Sequence, residues 1–186
     1  MPIHDEIFPS DRRPAYVQTE WSGGWTYARV GYDEAARFLT ENRRSFGATI
    51  DQVGLVIFFL QRHRVELALK ELLVTQRVDL GELRSAHSLA VLWAATSRAV
   101  GPDTEAWHGD RHGGELVALL NEADPGSYSY RYPVDKQGVT HERPEYIDLD
   151  ELERHVGDLC SLIDGYMTYV AEAEEAEREY GPDAWP

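Results

Sequence analysis

The stretch FFLQRHRVELALKELL, residues 58–73, decides how this chain folds. At about 100° per residue, Leu55, Phe58, Phe59, Arg62, Glu66, Leu69 and Leu73 fall within one arc of roughly 100° on a helix. The pattern is helical and too long for a strand, yet two charges stand in the apolar stripe itself. Arg62 and Glu66 are one turn apart, so guanidinium and carboxylate can meet on one face, with His63, Leu67 and Lys70 flanking them. An unpaired charge there would cost several kcal/mol, so the two must pair, recruit further partners or line a wet cavity.

Three readings of this helix compete. In the first, Arg62 and Glu66 form a buried pair, joined by His87 from the start of the next helix, that fixes the register of a bundle. In the second, the charged face is a homodimer surface whose charges meet across a two-fold axis. In the third, a pocket forms in which Arg62 binds an anion and His63 or His87 transfers a proton beside Glu66. The third reading makes Arg62, His63, Glu66 and His87 the candidate catalytic residues, acting on RNA or a nucleotide, with Lys70 as a further ligand-binding candidate.

Outward from this helix, periodicity organises most of the chain. Residues 1–20, with Pro2, Pro9 and Pro14 among charges, have no sustained period and read as an N-terminal arm. Trp25, Ala28, Tyr32, Ala35 and Leu39 predict a first helix over 25–43, starting near Ser22 or Gly23. The central helix spans 49–76. Ser85 is the expected N-cap of a third helix ending at Val100, before Gly101 and Pro102. A fourth runs from Asp110 or Gly114 to Ala123.

The segment SYSYRYPVDKQGVTHERPEYIDL, residues 127–149, breaks the helical pattern. Alternating Tyr128, Tyr130 and Tyr132, then turn residues, then VTHERPEYI predict a β-hairpin pairing 127–132 with 139–147, with Pro144 at an edge. On such a strand Arg131 projects opposite the tyrosines, where it either pairs with a surface carboxylate or recognises an anionic or peptide ligand. Asp148 and Glu151 form a capping-box pattern ahead of a last helix with the stripe Leu149, Leu152, Val156, Leu159, Ile163, Met167 and Val170. Residues 173–186 form an acidic C-terminal tail. The expected fold is all-α: a four- to five-helix bundle over 21–172 with a small β-hairpin inserted before the last helix.

Composition narrows the function classes. The chain has 186 residues, long enough to bury a core without disulfides, and its single cysteine, Cys160, excludes an internal disulfide. No run approaches the roughly 18 apolar residues of a membrane span, and MPIHDEIFPSDRRPAY lacks the basic start and apolar core of a secretory signal. A cytoplasmic location is expected. The net charge is −15, which repels phosphate backbones and disfavours nucleic-acid binding by the chain alone. A basic protein partner or a second copy of the chain fits better.

Other constellations are weaker. In WHGDRHGGE, His108, Asp110, His112 and Glu115 could ligate a divalent metal, although Asp110 serves equally as a helix cap. Gly23-Gly24 and Gly113-Gly114 carry no phosphate-loop pattern, so no nucleotide cofactor is expected, and no other cofactor either. Cys160 lies beside the apolar stripe of the last helix and reads as an inert buried thiol.

RHRVELALKELL (62–73), then HSLAVLW (87–93), then SYRYPVDKQG (129–138) together resemble the bacterial HEPN-type helical-bundle proteins. Many of these carry a similar helix with His, Glu-Leu and Lys in this order, a helix start with His and leucines, and an aromatic-Arg-Tyr-Pro segment ending in Gly. The resemblance covers about residues 30–170. It implies an all-α bundle, often dimeric, occurring in toxin–antitoxin and anti-phage systems, in some cases as a metal-independent ribonuclease. The ribonucleases of this type resemble one another in an Arg followed after four to six residues by His. None of the seven histidines here, at 4, 63, 87, 108, 112, 141 and 155, has an Arg five to seven positions upstream. The adjacent pairs Arg62-His63, Arg111-His112 and Arg154-His155 point about 100° apart on a helix and do not converge on one phosphate. The resemblance therefore implies a non-catalytic interaction or regulatory protein, with the enzyme or nucleotide-binding reading around Arg62, His63, Glu66 and His87 as its alternative.

Overall fold

The computed structural model describes residues 24–79, 81, 87–101, 107 and 111–181. Within them the chain is all-helical, with α1 over Gly24–Asn42, α2 over Ile50–Thr75, α3 over Leu89–Val100, α4 over Arg111–Ala123 and α5 over Leu149–Tyr180. The arm, Ser22, Gly23 and Ser85 lie outside the described residues. Among the described residues no helix is long and apolar enough to cross a membrane.

α2 is the central element. It packs against α1, α5 and α3, while α4 bridges α3 and α5. Being enclosed on several sides, α2 buries far more than one stripe: Ile57, Val65, Ala68, Leu69, Leu72 and Leu73 are sealed, and so are Gln61, Arg62, Arg64 and Glu66. The start of α2 is fixed by a full capping box, in which the Thr49 side chain accepts from the Gln52 amide and the Gln52 side chain accepts from the Thr49 amide. Its far end stops at Gln76, and Arg77 follows in the left-handed region at φ 58°.

α3 starts three residues later than the sequence suggests, because Ser88 is its cap. The Ser88 hydroxyl accepts from Val91 N and donates to Asn121 Oδ1 at 3.0 Å, so the cap also ties α3 to α4. Trp107, 2% exposed, stacks on Trp93 at 4.8 Å and donates from its indole to Ser97 of α3. α5 is capped by Asp148, whose carboxylate accepts from the Asp150 and Glu151 amides. The Glu151 side chain turns to Arg154 at 2.7 Å instead of back to the cap. The helix then continues unbroken through 173–180 to Tyr180, with Glu174 paired to Arg77.

The expected β-hairpin is absent among the described residues. A single antiparallel bridge, Val134↔Thr140, closes the turn at 135–138, in which Gly138 adopts φ 82° and the Asp135 carboxylate accepts from the Gln137 and Val139 amides. The first expected strand is instead coiled. Asp124 accepts from the Tyr128 and Ser129 amides at 2.7 and 2.9 Å, and Tyr128 O accepts from Arg131 and Tyr132. This local side-chain capping of the Asp-Pro-Gly-Ser turn outcompetes the ladder that the alternating tyrosines suggest. Residues 139–147 therefore have no strand to pair with.

Replacing Ser88 by Ala should remove the α3 cap and its tie to Asn121 together. A loss of about 1 kcal/mol is expected, read as a lower urea midpoint at unchanged slope.

Candidate functional site

The site grows from the enclosure of α2. Arg62 is completely buried, and each of its nitrogens is engaged. Nε donates to the Asp124 carbonyl at 2.9 Å, Nη1 to Glu66 at 2.8 Å, and Nη2 to the carbonyl of His87. The Asp124 carboxylate, also fully buried, lies 3.7 Å from Nε. Glu66 in turn accepts from Lys70 Nζ at 2.7 Å and lies 3.0 Å from His87 Nδ1. Two cations, Arg62 and Lys70, thus face two anions, Glu66 and Asp124, and the cluster is neutral when His87 is neutral.

The electrostatics follow from this geometry. Burial pushes the Glu66 carboxyl up, but the bonds from Lys70, His87 and Arg62 outweigh it and hold the group below the usual carboxylate range. His63 goes down, chiefly because burial disfavours its charge, and Lys70, Arg62 and Arg131 add to that effect against the pull of Glu66. Its ring stacks on Phe59 at 5.6 Å and meets the Tyr32 ring edge-on at 4.5 Å, while Nδ1 is buried without a hydrogen-bond partner. His63 is packed as an aromatic between α1 and α2.

The structure therefore brings Arg62, Glu66, Lys70 and His87 into one network and turns His63 away from it. Neither His63 nor His87 lines the clefts beside Arg154, Tyr146 and Asp164. Sealed inside one chain, Arg62 and Glu66 cannot meet a second copy across a two-fold axis, so that arrangement is overturned by their burial. Lys70, its amine held by Glu66 and its side chain 14% exposed, offers little to an outside ligand.

Arg131 does not make the expected ion pair. It pairs with no carboxylate among the described residues. Nε donates to Ser127 O at 2.6 Å and the guanidinium lies over the Phe59 and Tyr132 rings at 5.5 and 5.6 Å. Of the metal candidates, His108 and Asp110 lie outside the described residues, while His112 is exposed with Glu115 3.8 Å away. No group of three or more metal-ligating side chains occurs among the described residues. Cys160 is buried, and burial pushes its thiol up to about 11, consistent with an unreactive core residue.

Sequence reasoning missed two parts of this polar interior. Asp124 sits 62 positions from Arg62 and carries only a turn signal, Asp-Pro-Gly, in the sequence. On the opposite side of α2, Arg64 donates to Gln61 at 2.7 Å and pairs with Glu153 of α5 and with Asp33 of α1. Nearby, Arg29 joins Glu71 at 2.6 Å and Asp164 at 2.7 Å. These pairs bind α1, α2 and α5 along one seam.

Arg62→Ala should cost about 3–5 kcal/mol, because it strands Glu66 and Asp124 in the interior. Arg62→Leu combined with Glu66→Leu should recover part of that loss in chemical denaturation, since removing both partners spares the orphaned charge. The pH dependence has a definite sign. Glu66 binds its proton less readily folded than unfolded, so its contribution is complete above the ordinary carboxylate range. It is lost as pH falls through the lower folded value. Glu66→Gln should flatten the acid limb of stability against pH.

No protein-family model, curated protein or solved structure matches this chain, and its geometry alone characterises it: among the described residues, five packed helices with a hydrogen-bonded charge network beside the central one.

Proposed function

We propose that this chain is a HEPN-like helical-bundle protein acting as a non-catalytic interaction or regulatory subunit, in a bacterial defence or toxin–antitoxin setting. The observation that carries the reading is the saturation of Arg62. Every nitrogen of its guanidinium is directed at an internal acceptor, with none left for a scissile phosphate. A phosphate would have to displace Glu66, Asp124 O and His87 O from a side chain with no exposed surface. The setting comes from the order of the three sequence segments that resemble that family. Support for an interaction role comes from the surface: Tyr27, Val30 and Phe38 stand exposed within one arc of α1, an apolar patch suited to a second copy or a partner chain.

Two measurements test this. Labelled RNA incubated with the protein should remain intact, and Arg62→Ala and His87→Ala should change nothing. Cleavage that disappears in a folded His87→Ala variant would sink the non-catalytic reading. In sedimentation velocity, self-association through α1 should give a dimer mass in the parent protein and a monomer mass in Phe38→Glu; a monomer in both rules out this face for a second copy.

A further inference from the structure

A cleft of about 510 Å³ opens between the start of α2 and the segment that leads into α5. Ile50, Leu55, Tyr146 and Ile147 give it apolar walls, and the Tyr146 side chain is almost wholly exposed there. Tyr130 also lines it. That residue is 6% exposed and stacked on Phe58 at 3.8 Å, yet its buried hydroxyl has no hydrogen-bond partner. A buried hydroxyl left unpaired is unfavourable, and a polar group entering the cleft would relieve it.

The backbone beside the cleft is also left unpaired by the rest of the described chain. Residues 141–147 belong to no helix or strand and make no backbone-to-backbone hydrogen bond among the described residues. Their sequence, HERPEYI, is the second half of a strand-forming run whose expected partner coils away into the turn at Asp124. Such a segment can accept a strand from another chain, with Pro144 withholding one donor.

The charge of the cleft selects what that chain carries. Its two arginines are occupied: Arg43 donates to Thr40 O and pairs with Asp150 at 2.5 Å, while Arg143 donates to Ser129 O and Tyr132 O and lies over the Tyr130 ring. Asp148 is committed to capping α5. Arg143 keeps its charge, since carbonyls do not neutralise it, but Asp51, Glu145, Asp148 and Asp150 outnumber the two arginines, and Asp51 and Glu145 have no ion-pair partner among the described residues. A net negative, part-apolar cleft remains on a chain of net charge −15.

We infer that this cleft is the docking site for an extended segment of a partner protein, one that alternates basic and apolar side chains and pairs its backbone with residues 141–147. The inference rests on the interaction reading above and gives it a location and a partner chemistry. The apolar side chains fill the space beside Ile50 and Tyr146, the basic ones face Glu145 and Asp51, and a main-chain group of the segment reaches the Tyr130 hydroxyl.

A capped Lys-Val-Lys-Val-Lys peptide, titrated into the isotope-labelled full chain, tests this by backbone amide shifts. Saturable shifts are expected in residues 50–55 and 141–149, and none with Glu-Val-Glu-Val-Glu. Glu145→Lys should weaken binding about tenfold or more. So should Gly54→Leu, which the helix tolerates because a Cβ there meets only Leu149 Cδ1 at an ordinary 3.7 Å, while the longer side chain fills the cleft. Glu175→Lys, with the same charge change on the distant end of α5, is the control for bulk electrostatics. The proposal is overturned by shifts that map to residues 173–180, by equal weakening in Glu175→Lys, by unchanged affinity in Gly54→Leu, or by no shifts at millimolar peptide. RNA cleavage dependent on His87 would overturn the interaction reading without altering this titration, so the two failures are distinguishable.

Discussion

The guanidinium of Arg62 joins pieces of chain that no helix would otherwise hold in place. Its acceptors come from its own helix, from the chain leading into α3 and from the turn after α4. Two of the three are backbone carbonyls, so the bonds fix main-chain positions rather than flexible side chains. A buried ion pair of this kind is weak evidence for stability, since well-packed apolar residues can do as well. Its effect is on geometry. Apolar packing would let the α3 start and the 124–132 turn slide over α2, whereas three bonds to a planar fork permit one placement.

The reason such a group is needed is the position of α2. A helix packed on one side can leave its polar residues in water, but α2 is flanked by α1, α3 and α5 and has almost no free face. Its charges must find partners inside, and they do so in two groups. Arg62 and Glu66 are closed off toward α3 and the Asp124 turn, while Arg64 and Glu71 reach α1 and α5 through Asp33, Glu153 and Arg29. Charges committed in this way hold the helices in register. Each nitrogen of the Arg62 guanidinium already donates to an internal acceptor.

How much of this was legible in the sequence depended on distance along the chain. The central helix, the Asp148 cap of α5 and the Arg62/Glu66 pair are local features, and their spacing alone shows them. Asp124 and the carbonyl of His87 are tertiary partners, for which periodicity carries no signal. The burial of Arg64 and Glu71 was hidden for a related reason: a single-stripe helical reading assumes one buried face, and α2 has several. The hairpin was misread because alternation of Tyr128, Tyr130 and Tyr132 suits a strand, while the Asp124 carboxylate two residues before the first of the turn glycines and serines captures the amides that a strand would have offered. There, turn chemistry overrode β-propensity.

The two kinds of electrostatics in this molecule have opposite consequences. Inside, Arg62, Arg64 and Lys70 are balanced by Glu66, Glu71 and Asp124, so the interior and its margin are close to neutral. The net charge of −15 therefore does not come from these buried groups. Buried pairs are hardly screened by salt, whereas charges facing solvent are screened beyond about 8 Å at physiological ionic strength. Added salt should therefore leave the helix registry intact while weakening attraction to any cationic partner, chiefly by slowing encounter. The buried charges thus act where salt barely reaches, whereas the surface charges stay open to modulation from outside.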